Sequence, residues 1–215
     1  MSKGVEYLNG PFKRGLDILG AMALGGFGAP AAVIGAAVLK FDLGVPLKDI
    51  IYKQQRRGKG GEPFTIYKLM TMIPGEGPIE TRGAYDSRAG KHALKIRAWG
   101  IDEIPQAWNI LGGDLSLIGP RALLERDHDM LKQIDPALFK DWQEACDQVR
   151  GGVYAPSQNL RRAHPEHTNE MWAECMRLDI TYVETATFGG DVDLMLSAPG
   201  AIARAVRAGR AATEQ

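Results

Sequence analysis

The sequence predicts an α+β protein, mostly helical. An N-terminal re-entrant membrane helix is followed by a small cytoplasmic domain with a short β-hairpin and amphipathic interfacial helices. Three observations predict this. Ile18 to Leu39 is a run of 22 residues without a charge, and about 20 suffice to match the hydrocarbon core of a bilayer. Beyond Lys40, two short apolar stretches flank the glycine-rich turn Arg57-Gly58-Lys59-Gly60-Gly61, the pattern of a hairpin. From Ile104 onward, stretches of helical length are punctuated by proline and glycine.

In chain order, residues 1–12 read as a short tail ending near Pro11. Residues 13–40 form the apolar segment, with Pro30 near its middle and Gly20, Gly25, Gly26, Gly28 and Gly35 around it. Proline removes a backbone donor and bends or breaks a helix. Lys13 and Arg14 precede the segment, while Lys40 and Lys48 follow it. The positive-inside rule places both ends on one side, which a segment that enters, bends near Pro30 and returns satisfies. A plain span and a buried soluble hairpin are the alternatives on these residues alone. No cleavage site marks a signal peptide.

Residues 41–210 form the domain and 211–215 a C-terminal tail. Ile50-Ile51-Tyr52 and Pro63 to Leu69 are the hairpin strands, and Pro74 to Gly90 is a polar loop. Ile104 to Leu111 begins a helix with Pro105 in its first turn and ends at Gly112-Gly113. Leu123 to Val149 is helical with a break at Pro136, and Gly151 to Pro165 is irregular. Thr168 to Thr185 is helical. Val192 to Arg207 is an amphipathic helix interrupted by Pro199-Gly200, with Arg204, Arg207 and Arg210 on its polar side. Such a helix suits an anionic membrane surface or packing on the domain.

Lys+Arg 26 against Asp+Glu 26 gives no net charge and no argument for nucleic acid. Lys40 to Met72 nevertheless holds seven basic and three acidic residues directly after the apolar run, where a membrane surface or a phosphorylated ligand would be met. Cys146 and Cys175 form no framework and read as reduced thiols. His164 and His167 have ligand-like spacing but lie in a polar, turn-rich stretch, read first as a solvated loop.

The densest block is Arg97 to Arg121. Asp102 and Glu103 stand at the predicted helix N-terminus, where the helix dipole favours ionised carboxylates. Such a carboxylate is a nucleophile toward phosphorus or a Mg²⁺ ligand. Arg97 and Arg121 bracket the pair, and guanidinium groups bind phosphate bidentately. Spacing alone equally allows a simple N-cap with surface arginines.

This block, Ile101-Asp102-Glu103-Ile104-Pro105-Gln106 through Asn109 to Gly119-Pro120-Arg121, resembles the signature of the bacterial sugar transferases. These are monotopic phosphoglycosyl transferases that act on polyprenyl phosphate. The likeness extends to Lys13-Arg14-Gly15-Leu16-Asp17, to Pro46–Gly58, to Phe64–Met72, to Val149-Arg150 with Gln158 and Arg162, and to Leu178-Asp179 through Val183. It implies a ping-pong reaction. Asp102 attacks the sugar-side phosphorus of a nucleotide sugar, most often a UDP-sugar, and a polyprenyl phosphate such as undecaprenyl phosphate then takes the sugar phosphate from the aspartyl adduct. Glu103 is the implied Mg²⁺ ligand. Arg97, Arg121, Arg162, Gln158 and Asp179 are the implied phosphate or substrate contacts, with Asp179 alternatively bracing the loop around Arg162. The resemblance also implies the cytoplasmic leaflet of the bacterial inner membrane. It leaves open the sugar, the pathway and the oligomeric state, a homodimer among the options. A non-catalytic relative that scaffolds a polysaccharide assembly complex is the alternative. The chain departs from the family pattern at Ala29, Met70, Ala122 and Tyr154 to Pro156.

Overall fold

The computed structural model describes residues 1–72, 90–163 and 168–213. The predicted polar loop up to residue 89, His164 and His167, and the side chains of Arg162, Arg204, Arg207 and Arg210 lie outside the described residues.

The expected N-terminal tail is folded. Ser2 caps helix α1, Lys3–Leu8, by accepting from the Val5 N–H at 3.2 Å. Val5 and Leu8 are buried in a cluster with Tyr182 and Val183. A Cβ at Gly4 would stand 2.4 Å from the Val183 carbonyl oxygen, so only glycine lets α1 lie this close to the long helix beneath it. A hydrophobic pair too short to register as a periodic pattern explains why the sequence read as a tail.

Helix α2, Pro11–Leu43, begins with proline in its first turn and stops at Gly44, whose φ is 66°. It is one helix, with Pro30 inside it rather than at a break between two limbs. The proline costs one hydrogen bond, to the carbonyl of Gly26, and Gly25, Gly26, Gly28 and Ala29 crowd its ring little. The faces of α2 are inverted relative to a soluble helix. Three of its glycines turn inward: Gly20 sits on Leu117, Gly28 on Ile104, and Gly35 on Ile101, Leu69 and Ile96. Its bulk turns outward, with Phe12, Leu19, Phe27, Val33, Ile34 and Phe41 all exposed. By length and composition α2 is apolar enough to cross a membrane.

Strands β1, Ile51–Arg57, and β2, Pro63–Leu69, pair antiparallel as expected, with Ile51 opposite Leu69 and Arg57 opposite Pro63. The turn uses Gly60 and Gly61 at φ 69° and 80°. Arg57 fastens it to the domain through a two-point ion pair with Asp147, at 3.2 and 2.7 Å.

Helix α3, Lys91–Ala98, receives an N-terminal cap from outside itself: Asp42, at the end of α2, accepts from the His92 and Ala93 N–H groups at 3.0 and 3.1 Å. A 3-10 helix, Ile101–Gln106, then leads into α4, Ala107–Gly112, which ends at Gly113 with φ 93°. Strand β3, Leu115–Ile118, pairs in parallel with β4, Gly151–Tyr154. This corrects the expectation of irregular chain after Gly151. Strands of four residues, one of them half glycine, carry no period-two signal.

Helices α5, Glu125–Ile134, and α6, Pro136–Asp147, divide at Pro136 as predicted, and Thr168 caps α8, Asn169–Thr185. Leu131, Phe139, Trp142, Trp172 and Met176 form the core between them. Between β4 and α8 lies α7, Gln158–Ala163. Helix α9, Phe188–Thr213, runs through Pro199 without the expected interruption.

Candidate active site

Asp102 and Glu103 sit in the 3-10 helix, after Gly100 in the left-handed region at φ 70°. They are not in the first turn of an α-helix, so the predicted dipole stabilisation of both carboxylates gives way to burial. Asp102 is 8% exposed. Burial, and then the charge of Glu103, pushes its carboxyl up to about 6, while Lys68 and Arg97 act to lower it. Asp102 is therefore mostly ionised at neutral pH yet poorly solvated, the condition in which a carboxylate retains nucleophilicity.

The hairpin brings two cations that sequence reasoning missed as functional residues. In the β1–β2 register, Lys68 stands opposite Tyr52 and Arg56 opposite Phe64. These residues share one face with Ile66, which is buried against Ala107 and Ile110. Lys68 Nζ donates to Glu103 Oε1 at 2.8 Å, and Arg121 Nη2 lies 3.8 Å from the same oxygen. Burial lowers the Lys68 pKa, opposed by Glu103 and reinforced by Arg121. The signal that could have found both residues is alternation. Arg56 and Lys68 fall on the same side of the hairpin as Ile66 and Phe64, which pack inward.

Asn109 holds the hairpin to this block. Its amide carbonyl accepts from the Tyr67 N–H at 3.1 Å, and its NH₂ donates to the Thr65 carbonyl at 2.6 Å. One buried side chain thus stands in for a third strand at the edge of β2. Arg121 is positioned by β3. Past Gly119-Pro120, it bridges in parallel to Gly152. A Cβ on Gly152 would lie 2.1 Å from the Gly119 nitrogen, so the turn carrying Arg121 rests on direct backbone contact.

Of the remaining predicted residues, Arg97 lies close enough for its charge to act on Asp102. Asp179 lines a small cavity with Arg121, Ser157, Arg161, Trp142 and Trp172. It accepts from Trp142 Nε1 at 3.2 Å. Burial pushes its carboxyl up to about 6 against the Ser157 and Trp142 hydrogen bonds and the Arg161 charge. Gln158 is buried and uses its carbonyl to accept from the Ala155 N–H at 3.3 Å, which closes the turn into α7. The structure gathers Asp102, Glu103, Arg97 and Arg121 with Lys68 and Arg56, and sets Asp179 and Gln158 behind Arg121. Among the described residues, no group of three or more His, Cys, Asp or Glu side chains converges on one point.

A model of the family described as bacterial sugar transferase matches residues 8–205. The chain belongs to the bacterial sugar transferase family. It is 31% identical over 186 residues to a Caulobacter vibrioides protein named UDP-glucose:undecaprenyl-phosphate glucose-1-phosphate transferase, covering 86% of this chain and 67% of that one. It is 32% identical over 184 residues to the uncharacterized sugar transferase EpsL of Bacillus subtilis, covering 85% and 83%. An Aeromonas hydrophila protein named UDP-N-acetylgalactosamine-undecaprenyl-phosphate N-acetylgalactosaminephosphotransferase matches at 38% over 114 residues, 51% of this chain and 26% of that one. In this bacterial sugar transferase two of the departures from the family pattern, Met70 and Tyr154, are packing contacts. Met70 lies against the cluster of Leu39, Ile50 and Ala93. Tyr154 is buried, and its hydroxyl accepts from the Asn159 amide at 2.6 Å.

Proposed function

We propose that the chain transfers a sugar 1-phosphate from a UDP-sugar to a polyprenyl phosphate, with Asp102 as the nucleophile that carries the sugar phosphate between them. The names of its relatives support this kind of reaction. The observation that carries the role of Asp102 is its position: a buried carboxylate beside Lys68, Glu103 and Arg97. The ionised oxygen attacks the sugar-side phosphorus, the nucleoside monophosphate leaves, and the polyprenyl phosphate then displaces the aspartate. Lys68 and Arg121 offset charge that builds on the phosphoryl oxygens. Glu103 orients Lys68 toward Asp102.

Magnesium fits the carboxylate pair. Two adjacent acids, one of them raised by the charge of the other, suit an ion that takes one or two carboxylates and fills its shell from substrate phosphates and water. Glu103 would hold it. Once bound, the ion would screen repulsion between the carboxylates and the diphosphate.

A panel of radiolabelled UDP-sugars with undecaprenyl phosphate tests the proposal. One donor should give solvent-extractable labelled lipid and free UMP in equal amounts. Transfer to water alone, or no transfer from any donor, sinks it. Arg121 supplies a sharper test. If its fork grips a phosphate, Arg121→Lys lowers kcat/KM by about tenfold or more, roughly 1.4 kcal/mol, because an ammonium cannot reproduce two parallel bonds. Wild-type kinetics would leave Arg121 a structural residue only.

The proposed placement is on the cytoplasmic face of the inner membrane, with α2 in the membrane and residues 41–210 forming the catalytic domain. Both ends of α2 support a single-sided arrangement. Asp17 accepts from the Ser116 hydroxyl at 2.8 Å, and Leu39 packs with Leu69 and Ile96. A bilayer crossing between them would pull one end off the domain. The outward Phe27, Val33 and Ile34 then meet lipid, while the inward glycines meet protein. Cysteines placed at the exposed positions Lys3 and Lys48 should both react with a membrane-impermeant reagent from the cytoplasmic side only. Labelling of either from outside means a true span.

A further inference from the structure

Arg56 is unlike the other cations around the site. It is largely buried on the inward face of β1, and it has no carboxylate partner within ion-pair distance among the described residues. Its bonds go to neutral oxygens: Nη2 donates to Gln54 Oε1 at 2.8 Å and Nη1 to the Ala122 carbonyl at 3.3 Å. Its Nε is buried with no hydrogen-bond partner. Of the charges acting on it, Arg121 acts most strongly and carries the same sign; burial and that repulsion bring the Arg56 pKa down to about 10, still protonated at neutral pH. Asp127 lies within electrostatic reach, but its carboxylate accepts from the Leu124 N–H at the start of α5. Two like charges acting on each other in low dielectric are costly unless an anion joins them.

The charges fall in a sequence across the site. Asp102 feels Glu103, Lys68 and Arg97. Lys68 and Arg121 both approach Glu103 Oε1. Arg56 comes next, bonded to the carbonyl of Ala122, the residue after Arg121. Lys68 therefore acts on the nucleophile, whereas Arg56 is tied to the chain beside Arg121.

We infer that Arg56 and Arg121 together grip the nucleoside-side phosphate of the donor, the leaving group of the first step. This rests on the reading of Asp102 as nucleophile. When an Asp102 oxygen bonds to the sugar-side phosphorus, the bond from that phosphorus to the bridging oxygen breaks. The electron pair passes to the nucleoside monophosphate, which gains one negative charge. A paired guanidinium clamp stabilises that charge as it forms. The Gln54 amide and the Ala122 carbonyl hold the Arg56 fork in place beforehand.

Direct binding of UMP to the full-length protein in detergent, by calorimetry, tests Arg56 without any transfer step. Failure of the clamp is therefore told apart from failure of the donor panel described above. Arg56→Gln should weaken UMP binding by about tenfold or more and leave uridine binding, which lacks the phosphate, unchanged. Product inhibition by UMP should weaken in step, while KM for the polyprenyl phosphate holds. Should the Gln variant melt early, Arg56→Lys carries the same comparison, with a smaller loss for UMP and none for uridine. Equal UMP affinity in variant and wild type overturns the inference. So does a parallel loss for uridine, which would make Arg56 a prop of the fold.

Discussion

Asp102→Asn loses at least about a thousandfold in turnover, forms no covalent sugar-phosphate adduct, and melts no lower than the wild type at pH 7. The loss follows from chemistry, since an amide oxygen of the same shape cannot form the phosphoryl bond. The retained stability follows from burial. The folded-state pKa of Asp102, about 6, stands above the ordinary aspartate value of 3.8. A carboxyl raised in this way destabilises the fold above pH 6, where it is charged in both states, and the cost disappears as pH falls below the unfolded value. Removing the charge therefore returns on the order of 1–3 kcal/mol at neutral pH. The same shift sets the pH profile: kcat/KM should fall as pH drops through about 6. An adduct of unchanged yield in the variant, trapped with labelled donor and detected by mass spectrometry, would remove Asp102 from the mechanism.

The carboxylate pair was legible in the sequence because its neighbours are local. Asp102, Glu103 and Pro105 share one short stretch, and Arg97 and Arg121 bracket it. Its electrostatics were not legible. The dipole argument expected a helix N-terminus to stabilise both anions, but dipole stabilisation is small beside the cost of burying a charge, and burial depends on Ile66, Lys68 and α2 packing over the turn. Lys68 and Arg56 went unassigned for the same reason: they arrive from a hairpin on a different part of the chain. Helix ends with a local cause were read correctly, including Pro136, Gly113 and Thr168. The β3–β4 pair was missed because its cause is long-range, the contact of Gly119 with Gly152. Prolines misled in one direction. Pro30 and Pro199 each sit within a continuous helix, since proline costs a helix one hydrogen bond and does not by itself end it.

Lys13→Met should destabilise the protein more than any exposed substitution, by roughly 3–5 kcal/mol. Lys13 is buried on α2, with Nζ 3.0 Å from Asp17 Oδ1 and 2.7 Å from Asp191 Oδ2. Both acids are almost completely buried. Asp17 also accepts from the Ser116 hydroxyl and the Leu117 N–H, at 2.8 and 3.0 Å. Asp191 accepts from Tyr7 and Tyr182 at 2.9 and 2.7 Å. Burial and the Asp191 charge push both phenols well up, so they remain donors. The ammonium hydrogens are not well aligned with the two carboxylates, so Lys13 acts chiefly as a charge at short range. Removing it leaves two buried anions facing each other across the junction of α1, α2, β3, α8 and α9. A second change, Asp191→Asn in the Lys13→Met background, takes away one of those anions and should recover part of the loss. The double variant should thus lose less than the sum of the single variants. Thermal unfolding in detergent reads all three. A Lys13→Met variant within about 1 kcal/mol of wild type, or strict additivity with Asp191→Asn, would show that hydrophobic packing rather than this ion network joins α2 to the domain.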